Sequence, residues 1–128
     1  MAVKFLSKEW EEAMQKGLAE EFSTRGMVTT VFVQILTDCP DGQNHWTLTE
    51  LKKGKYVRYE VGVGEPPEYE LAAVGTYAVH KGCVTKEIDG SVCITTGQMT
   101  LQGDVNKAMS LLGTYSRLEA VEQSIEVE

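Results

Sequence analysis

The spacing of apolar residues near the start of the chain predicts a helix. Between residues 7 and 23, apolar side chains recur every three or four positions, at Trp10, Met14 and Phe22 among others. This spacing gives a helix one apolar face. Ser7 stands where an N-cap residue is expected, so the helix is predicted to begin directly after it.

The segments that follow are rich in β-branched residues and are broken by tight turns, a pattern typical of strands. The first strand is predicted from Met27 to Asp38. Both of its alternating sides are partly apolar, so it is expected to be central, or covered on one face and apolar on the other. Four further strands are predicted at about residues 45–51, 56–63, 68–74 and 98–102. Short turns at Pro40-Asp41-Gly42 and Lys53-Gly54-Lys55 would join the first three strands as an antiparallel meander.

Helical signals return after the fourth strand. Thr76 is placed to cap a segment at residues 77–86 in which a helix is only weakly favoured. Asp104 is placed to cap a final helix with a broad apolar stripe. Because the strands are grouped apart from the helices, the pattern predicts an α+β fold, a single domain over residues 1–128, with helices packed on an antiparallel sheet.

Composition and charge exclude several classes of function. Apolar residues make up 42% and charged residues 24% of the chain, which is typical of a globular domain. The net charge of −7 argues against a nucleic-acid partner, which requires a basic surface. No apolar run approaches the ~20 residues that span a bilayer, so no stable membrane insertion is expected. The first residues become charged too early for a signal peptide, and the cytoplasm is the expected compartment.

Residues with catalytic or metal-binding chemistry are few and scattered. The three cysteines, Cys39, Cys83 and Cys93, form no close pair in the sequence and are expected to be reduced, buried thiols. His80 and Cys83 are three positions apart, but an activated thiolate would also need a third group and a cleft. No His or Cys has the spacing of a zinc site. The sequence therefore predicts no catalytic residue, no metal and no cofactor.

The order of several short motifs resembles that of the sterol carrier protein 2-like family. The chain begins with Phe-Leu-Ser-x-Glu-Trp at residues 5–10, continues through Pro40-Asp41-Gly42, and opens its second strand near Trp46. The strongest part is Gly97, an alternating strand, Gly103-Asp104 and an apolar helix. The resemblance covers nearly the whole chain, although Gly82, Cys83 and Cys93 stand where the family has a clean helix.

This resemblance implies a five-stranded antiparallel sheet with helices packed on one face and an apolar tunnel between the two layers. The tunnel would be a cavity of several hundred Å³ that holds a long-chain lipid ligand such as a fatty acid, a fatty acyl-CoA or a sterol-like molecule, without catalysis. The residues expected to line it are Trp10, Met14, Phe32, Trp46, Leu48, Met99, Leu101, Met109 and Leu112.

Two other functions stay open at this stage. A small isomerase or cyclase acting on an apolar substrate would need a titratable side chain that points into the cavity. The candidates for that role are Glu60, His45, Asp104 and His80. An accessory or dimerisation domain would instead expose a large apolar patch, and the formation of a homodimer is left open.

Overall fold

A computed structural model describes residues 2–128, except for the side chain of Ser91. Met1, the first residue of the predicted domain, lies outside the described residues. Within this range the chain forms three α-helices, namely α1 (Lys8–Glu21), α2 (Tyr77–Val84) and α3 (Leu112–Gln123). It also forms five strands, namely β1 (Thr30–Thr37), β2 (His45–Lys52), β3 (Lys55–Val63), β4 (Leu71–Thr76) and β5 (Met99–Gly103). Two 3-10 helices cover Gly90–Val92 and Val105–Leu111.

The strands form one sheet in the order β3-β2-β1-β4-β5, with the helices packed on one face, which confirms the predicted α+β fold. The first three strands are the antiparallel meander that the short turns predict. One pairing differs from the all-antiparallel prediction, because β4 lies parallel to β1. The reason is that residues 64–70 cross the sheet from the end of β3 to the start of β1, so that β4 begins at the same end as β1.

Alternation along the strands divides the apolar side chains between two faces. The inner face, which the helices cover, and the helices themselves supply one core, which includes Trp10, Met14, Leu18, Phe32, Leu36, Tyr59 and Leu71. On the outer face a smaller cluster is built from Val33, Leu48 and Ala72, with Val31, Ile35, Trp46 and Tyr69 packed against it. Both sides of β1 are therefore covered by apolar groups.

Two helices begin as the sequence predicts and the last one does not. The Ser7 hydroxyl accepts a hydrogen bond from the backbone N–H of Trp10 at 3.2 Å, and Thr76 caps α2 in the same way. The Asp104 side chain makes no capping bond, and the chain continues as the 3-10 helix before α3 begins. Because a 3-10 helix turns more tightly than an α-helix, the predicted apolar stripe is divided. No helix in residues 2–128 combines the length and the apolar character needed to cross a membrane.

Candidate functional site

An enclosed gap lies between α3 and the inner face of the sheet. Its lining residues are Phe22, Thr30, Phe32, Thr49, Leu51, Thr114, Tyr115 and Leu118. The gap measures about 10 Å³, which is room for about one water molecule. The space is small because side chains of α3 fill it, and the ring centroid of Tyr115 lies 4.6 Å from that of Phe32. A lipid tunnel of several hundred Å³ would require α3 to move away from the sheet.

The stretch from Val105 to Tyr115, called the cover segment below, closes one end of this gap. Its inward side chains, Ala108 and Leu111, are buried. Its outward side includes Met109, which is 76% exposed, and Leu112, which is 53% exposed. Large apolar side chains in water are unfavourable, so this segment is the part of the helical layer that would gain most from new apolar contacts.

A polar cluster adjoins the gap at Thr30, which lines it and binds Glu70; this place, where the cover segment meets the sheet, is called the mouth of the gap below. The Lys107 ammonium group donates to the Glu70 carboxylate at 2.7 Å and to the backbone carbonyl of Thr29 at 2.9 Å. The Thr30 hydroxyl donates to the same Glu70 oxygen at 3.0 Å. The hydrogen bond from Lys107 is the main cause that lowers the pKa of Glu70. This cluster joins the cover segment to the sheet.

The Tyr115 hydroxyl lies beside this cluster and is left unpaired. Among the described residues it is one of two buried side-chain polar atoms without a hydrogen-bond partner, and the other is Nε1 of Trp46 on the outer face. Burial raises the pKa of Tyr115, and the negative charge of Glu70 raises it further. A buried hydroxyl without a hydrogen-bond partner is unfavourable. The O–H group of Tyr115 is therefore available to donate a hydrogen bond to a ligand at the mouth of the gap.

A second cluster of polar side chains lies between the helices and the sheet, farther along α3. The indole N–H of Trp10 donates to the Tyr59 hydroxyl at 3.1 Å, and the Thr47 hydroxyl donates to Oε1 of Gln34 at 2.9 Å. Glu122 is buried against them, and its pKa is raised to about 8, first by burial and then by the charge of Glu119. The Glu122 carboxyl is therefore protonated and neutral at pH 7.

A second concave region lies on the outer face of the sheet. It is an open groove of about 930 Å³ between the sheet and residues 65–70. Its walls include the carboxylates of Glu50, Glu65, Glu68 and Glu70. A wide, acidic and open groove is a poor match for a lipid chain, because lipid sites are mostly apolar and enclose most of their ligand.

The residues predicted to line a tunnel fall into three groups in the structure. Those that pack in or against the core between the helices and the sheet are Trp10, Met14, Phe32, Met99 and Leu101. Trp46 and Leu48 lie on the outer face, because both have the parity in β2 that points away from the helices. Met109 and Leu112 face solvent on the cover segment.

Sequence reasoning missed Lys107, Tyr115 and Glu122. One signal was available, since positions 111, 115, 118 and 122 follow helical spacing and place Glu122 on the same stripe as Leu118. An acidic residue on an apolar stripe indicates either a partner or a raised pKa.

The candidates for acid–base chemistry do not form a common site. His45 pairs with Asp41 at 2.7 Å, and Glu60 pairs with Arg58 at 2.8 Å. His80 is buried against the carbonyl of Ile35, and its pKa is lowered to about 4, mainly by burial. Asp104 is exposed at the start of the 3-10 helix. In the part of the chain that the structure describes, no group of His, Cys, Asp or Glu side chains could hold a metal ion.

Comparison with known proteins identifies the class of fold. No protein-family model matches the sequence, and no curated protein matches it. Solved structures do match: the crystal structure of sterol carrier protein 2 has a TM-score of 0.83 and 12% identity, covering 95% of this chain and 99% of that chain. A conserved hypothetical protein from Thermus thermophilus, described as possibly a sterol carrier protein, has a TM-score of 0.76 and 13% identity over 100% of this chain and 94% of its own.

A third solved structure also matches the chain. The solution structure of palmitated SCP2L2 from Aedes aegypti has a TM-score of 0.55 and 16% identity, with 86% of this chain and 92% of that chain covered. At such identities the likeness shows the fold alone. The chain has the sterol carrier protein fold, and the structural resemblance that its motifs predict is confirmed.

Proposed function

We propose that this protein binds a long-chain lipid, such as a fatty acid, a fatty acyl-CoA or a sterol-like molecule, between α3 and the inner face of the sheet, and carries it unchanged. The observation that carries this proposal is the largely apolar gap beneath α3, closed by a cover segment with apolar side chains in water. The sterol carrier protein fold supports it, as does the palmitated state of the Aedes aegypti protein of the same fold.

Two of the contacts that keep the gap closed are weak compared with what a lipid supplies. The Lys107–Glu70 ion pair is about one-third exposed on each side, and such pairs contribute ~0–1 kcal/mol. The contact between the rings of Tyr115 and Phe32 contributes ~0.5–1.5 kcal/mol. A lipid chain gains ~0.8 kcal/mol for each buried methylene, so a chain of ordinary length exceeds these costs even after its own immobilisation.

The lining favours a carrier over an enzyme. Tyr115 is the titratable residue among the side chains that line the gap, and its pKa is raised, so it is not a base at neutral pH. A cytoplasmic location is part of this proposal, and in that reducing compartment the three cysteines would remain thiols.

The first test is direct binding. Native mass spectrometry of the purified protein should detect a co-purifying lipid, and calorimetric titration with dodecanoic acid should give a stoichiometry of one. A protein that contains no lipid and binds none from a panel of long-chain acids, alcohols and sterols would contradict the proposal.

A disulfide lock tests the position of the site. A Cβ atom added at Gly17 in α1 would lie 4.0 Å from Cβ of Val121 in α3, within the range of ~3.5–4.5 Å for a disulfide. In the double variant Gly17→Cys/Val121→Cys, oxidation should fix α3 against α1 and weaken dodecanoic acid binding about tenfold. Reduction should restore it, and Val121→Cys alone, which removes the valine methyls without adding a Cβ at Gly17, is the matched control. Equal binding in both redox states would place the ligand elsewhere, for example in the outer groove.

The accessory or dimerisation role is favoured by the same exposed residues on the cover segment, Val105, Met109 and Leu112. This alternative predicts a mass that rises with protein concentration in analytical ultracentrifugation and falls when Met109 is replaced by Glu. A monomer at all concentrations would exclude the homodimer.

A further inference from the structure

We propose that Lys107 and the Tyr115 hydroxyl select lipids with an acidic head group, whose carboxylate replaces that of Glu70 at the mouth of the gap. This inference rests on the proposed lipid binding and adds the chemistry of the ligand's polar end. Glu70 then acts as a built-in competitor that occupies the head-group position while the gap is closed.

The mouth of the gap already holds a carboxylate. One oxygen of Glu70 receives hydrogen bonds from the Lys107 ammonium group at 2.7 Å and from the Thr30 hydroxyl at 3.0 Å. Both Thr30 and Tyr115 also line the gap. A carboxylate at this position would therefore stand directly beside the apolar space in which a lipid chain would lie.

The ion pair between Lys107 and Glu70 leaves the Tyr115 hydroxyl without a hydrogen-bond partner among the described residues. The hydroxyl is buried, and the Tyr115 side chain lines the gap together with Thr30, whose hydroxyl binds Glu70. A ligand carboxylate that enters from the gap side would meet this donor as well as Lys107. The site would then satisfy a buried polar atom that the closed state leaves unpaired.

The Glu70 carboxylate can move away from Lys107. The Glu70 side chain is 35% exposed and that of Lys107 is 32% exposed, so the carboxylate can turn into solvent at low cost. The carboxylate of a bound lipid is in contrast tethered to a chain held beneath α3, which raises its effective concentration at Lys107.

A second cation, Arg117, lies near the gap and is already engaged. Arg117 lies over the ring of Phe22, with 4.3 Å between Cζ and the ring centroid. Its guanidinium group donates to the Glu21 carboxylate at 3.0 Å and to the Glu21 backbone carbonyl at 2.6 Å. With a net charge of −7, the protein repels anions in general, so an acidic ligand needs a local cation, and Lys107 supplies it.

The experiment compares two ligands of equal chain length. Calorimetric titrations at neutral pH measure dodecanoic acid and the uncharged dodecan-1-ol on the wild type and on four variants: Lys107→Met, Tyr115→Phe, Glu70→Gln and Lys16→Met. Lys16 is an exposed lysine on α1 and is the charge-matched control. Circular dichroism establishes that each variant is folded.

The expected pattern is specific to the head group. Lys107→Met should weaken binding of the acid about tenfold and that of the alcohol less than about twofold. Tyr115→Phe should weaken the acid about threefold, and Glu70→Gln should tighten it, because the competing charge is gone. Lys16→Met should change neither ligand.

The inference and the proposed function fail in different ways. If the wild type binds neither ligand, the proposed lipid binding is wrong. If it binds both, but Lys107→Met changes the acid no more than the alcohol, lipid binding stands and the head-group selection is overturned. A Glu70→Gln variant with weaker acid binding would likewise refute the role of Glu70 as a competitor.

Discussion

The buried carboxyl of Glu122 should make the stability of this protein fall as the pH rises above neutral. Burial, aided by the charge of Glu119, raises the pKa of Glu122 from its usual 4.5 to about 8. In the unfolded chain the same group ionises near its usual value. Between these two pH values the folded state binds one proton more than the unfolded state, and each pH unit then costs about 1.4 kcal/mol of stability.

The direction of the stability change and the pH range over which it occurs follow from this difference in bound protons. The contribution of Glu122 is fully present below pH 4.5 and is lost as the pH rises to about 8, a total of about 5 kcal/mol as an upper value. His80 acts in the opposite sense, because burial lowers its pKa from 6.5 to about 4. The contribution of His80 is fully present above pH 6.5 and is lost as the pH falls toward about 4. Between pH 4.5 and 6.5 the effects of Glu122 and His80 on the free energy of unfolding have opposite slopes and cancel. Above pH 6.5 the slope from Glu122 is no longer opposed by that from His80.

Glu122→Gln is the perturbation that isolates this effect. Gln has nearly the same shape, cannot ionise, and finds Gln34 as a hydrogen-bond partner on the facing strand. The variant should resemble the wild type near pH 5.5 and exceed it by about 3 kcal/mol at pH 8. Urea unfolding, followed by the fluorescence of the buried Trp10 and extrapolated linearly, measures the free energy of unfolding at each pH.

The matched control is Glu20→Gln, which removes an exposed carboxyl from α1 and should leave the pH slope of the wild type unchanged. Glu122 does not cause the pH dependence if Glu122→Gln loses stability between pH 6.5 and 8 as steeply as the wild type does. The prediction is also wrong if the variant is less stable than the wild type at pH 8, since a neutral amide would then be worse than an ionising carboxyl in this position.

Two further predictions concern packing and thiol reactivity. Gly62→Ala should destabilise the protein by ~1–3 kcal/mol, because an added Cβ would overlap the ring of Trp46; Gly113→Ala in α3, where nothing lies within 4 Å, should be neutral or stabilising in the same urea unfolding assay. Burial raises the pKa of the Cys83 thiol to about 12, so we expect Ellman's reagent to react slowly with the folded protein and rapidly in urea. Fast reaction of the folded protein would contradict the burial of its thiols.

Local patterns predicted the elements well because each has a local cause. The predicted helix at residues 7–23 is found as α1 with its Ser7 cap, and the meander follows from the short connections at residues 38–44 and 53–54. The parallel pairing of β4 with β1 has no local cause. It depends on where residues 64–70 cross the sheet, and Pro66-Pro67 marks a break in the chain without setting the direction of the strand that follows.

The candidate site was harder to predict for a related reason. A two-residue alternation identifies side chains that share a face but does not say which face the helices cover. Met99 and Leu101 were therefore grouped with Trp46 and Leu48, which lie on the opposite side of the sheet. Similarly, helical spacing after Asp104 gave no sign of the 3-10 turn that directs Met109 toward solvent.

The sheet surface beneath α3 is itself suited to a helix that moves. The inward positions of β1 and β2 there include Thr30, Thr49, Thr47 and Gln34 beside the apolar Phe32 and Leu51, and all are buried or half-buried. The apolar contribution to adhesion scales with apolar area at about 25 cal/mol per Å², so a Thr- and Gln-rich strip holds a helix less firmly than one of Leu and Ile. α3 is instead attached to α1, through Arg117 on Glu21 and the close packing of Val121 on Gly17. A helix that is held weakly over the sheet can move away from it once its contacts with α1 yield, which is the step that the Gly17–Val121 disulfide would block. The space that such a movement opens is the one between Phe32 and Leu118, where the proposed lipid would lie.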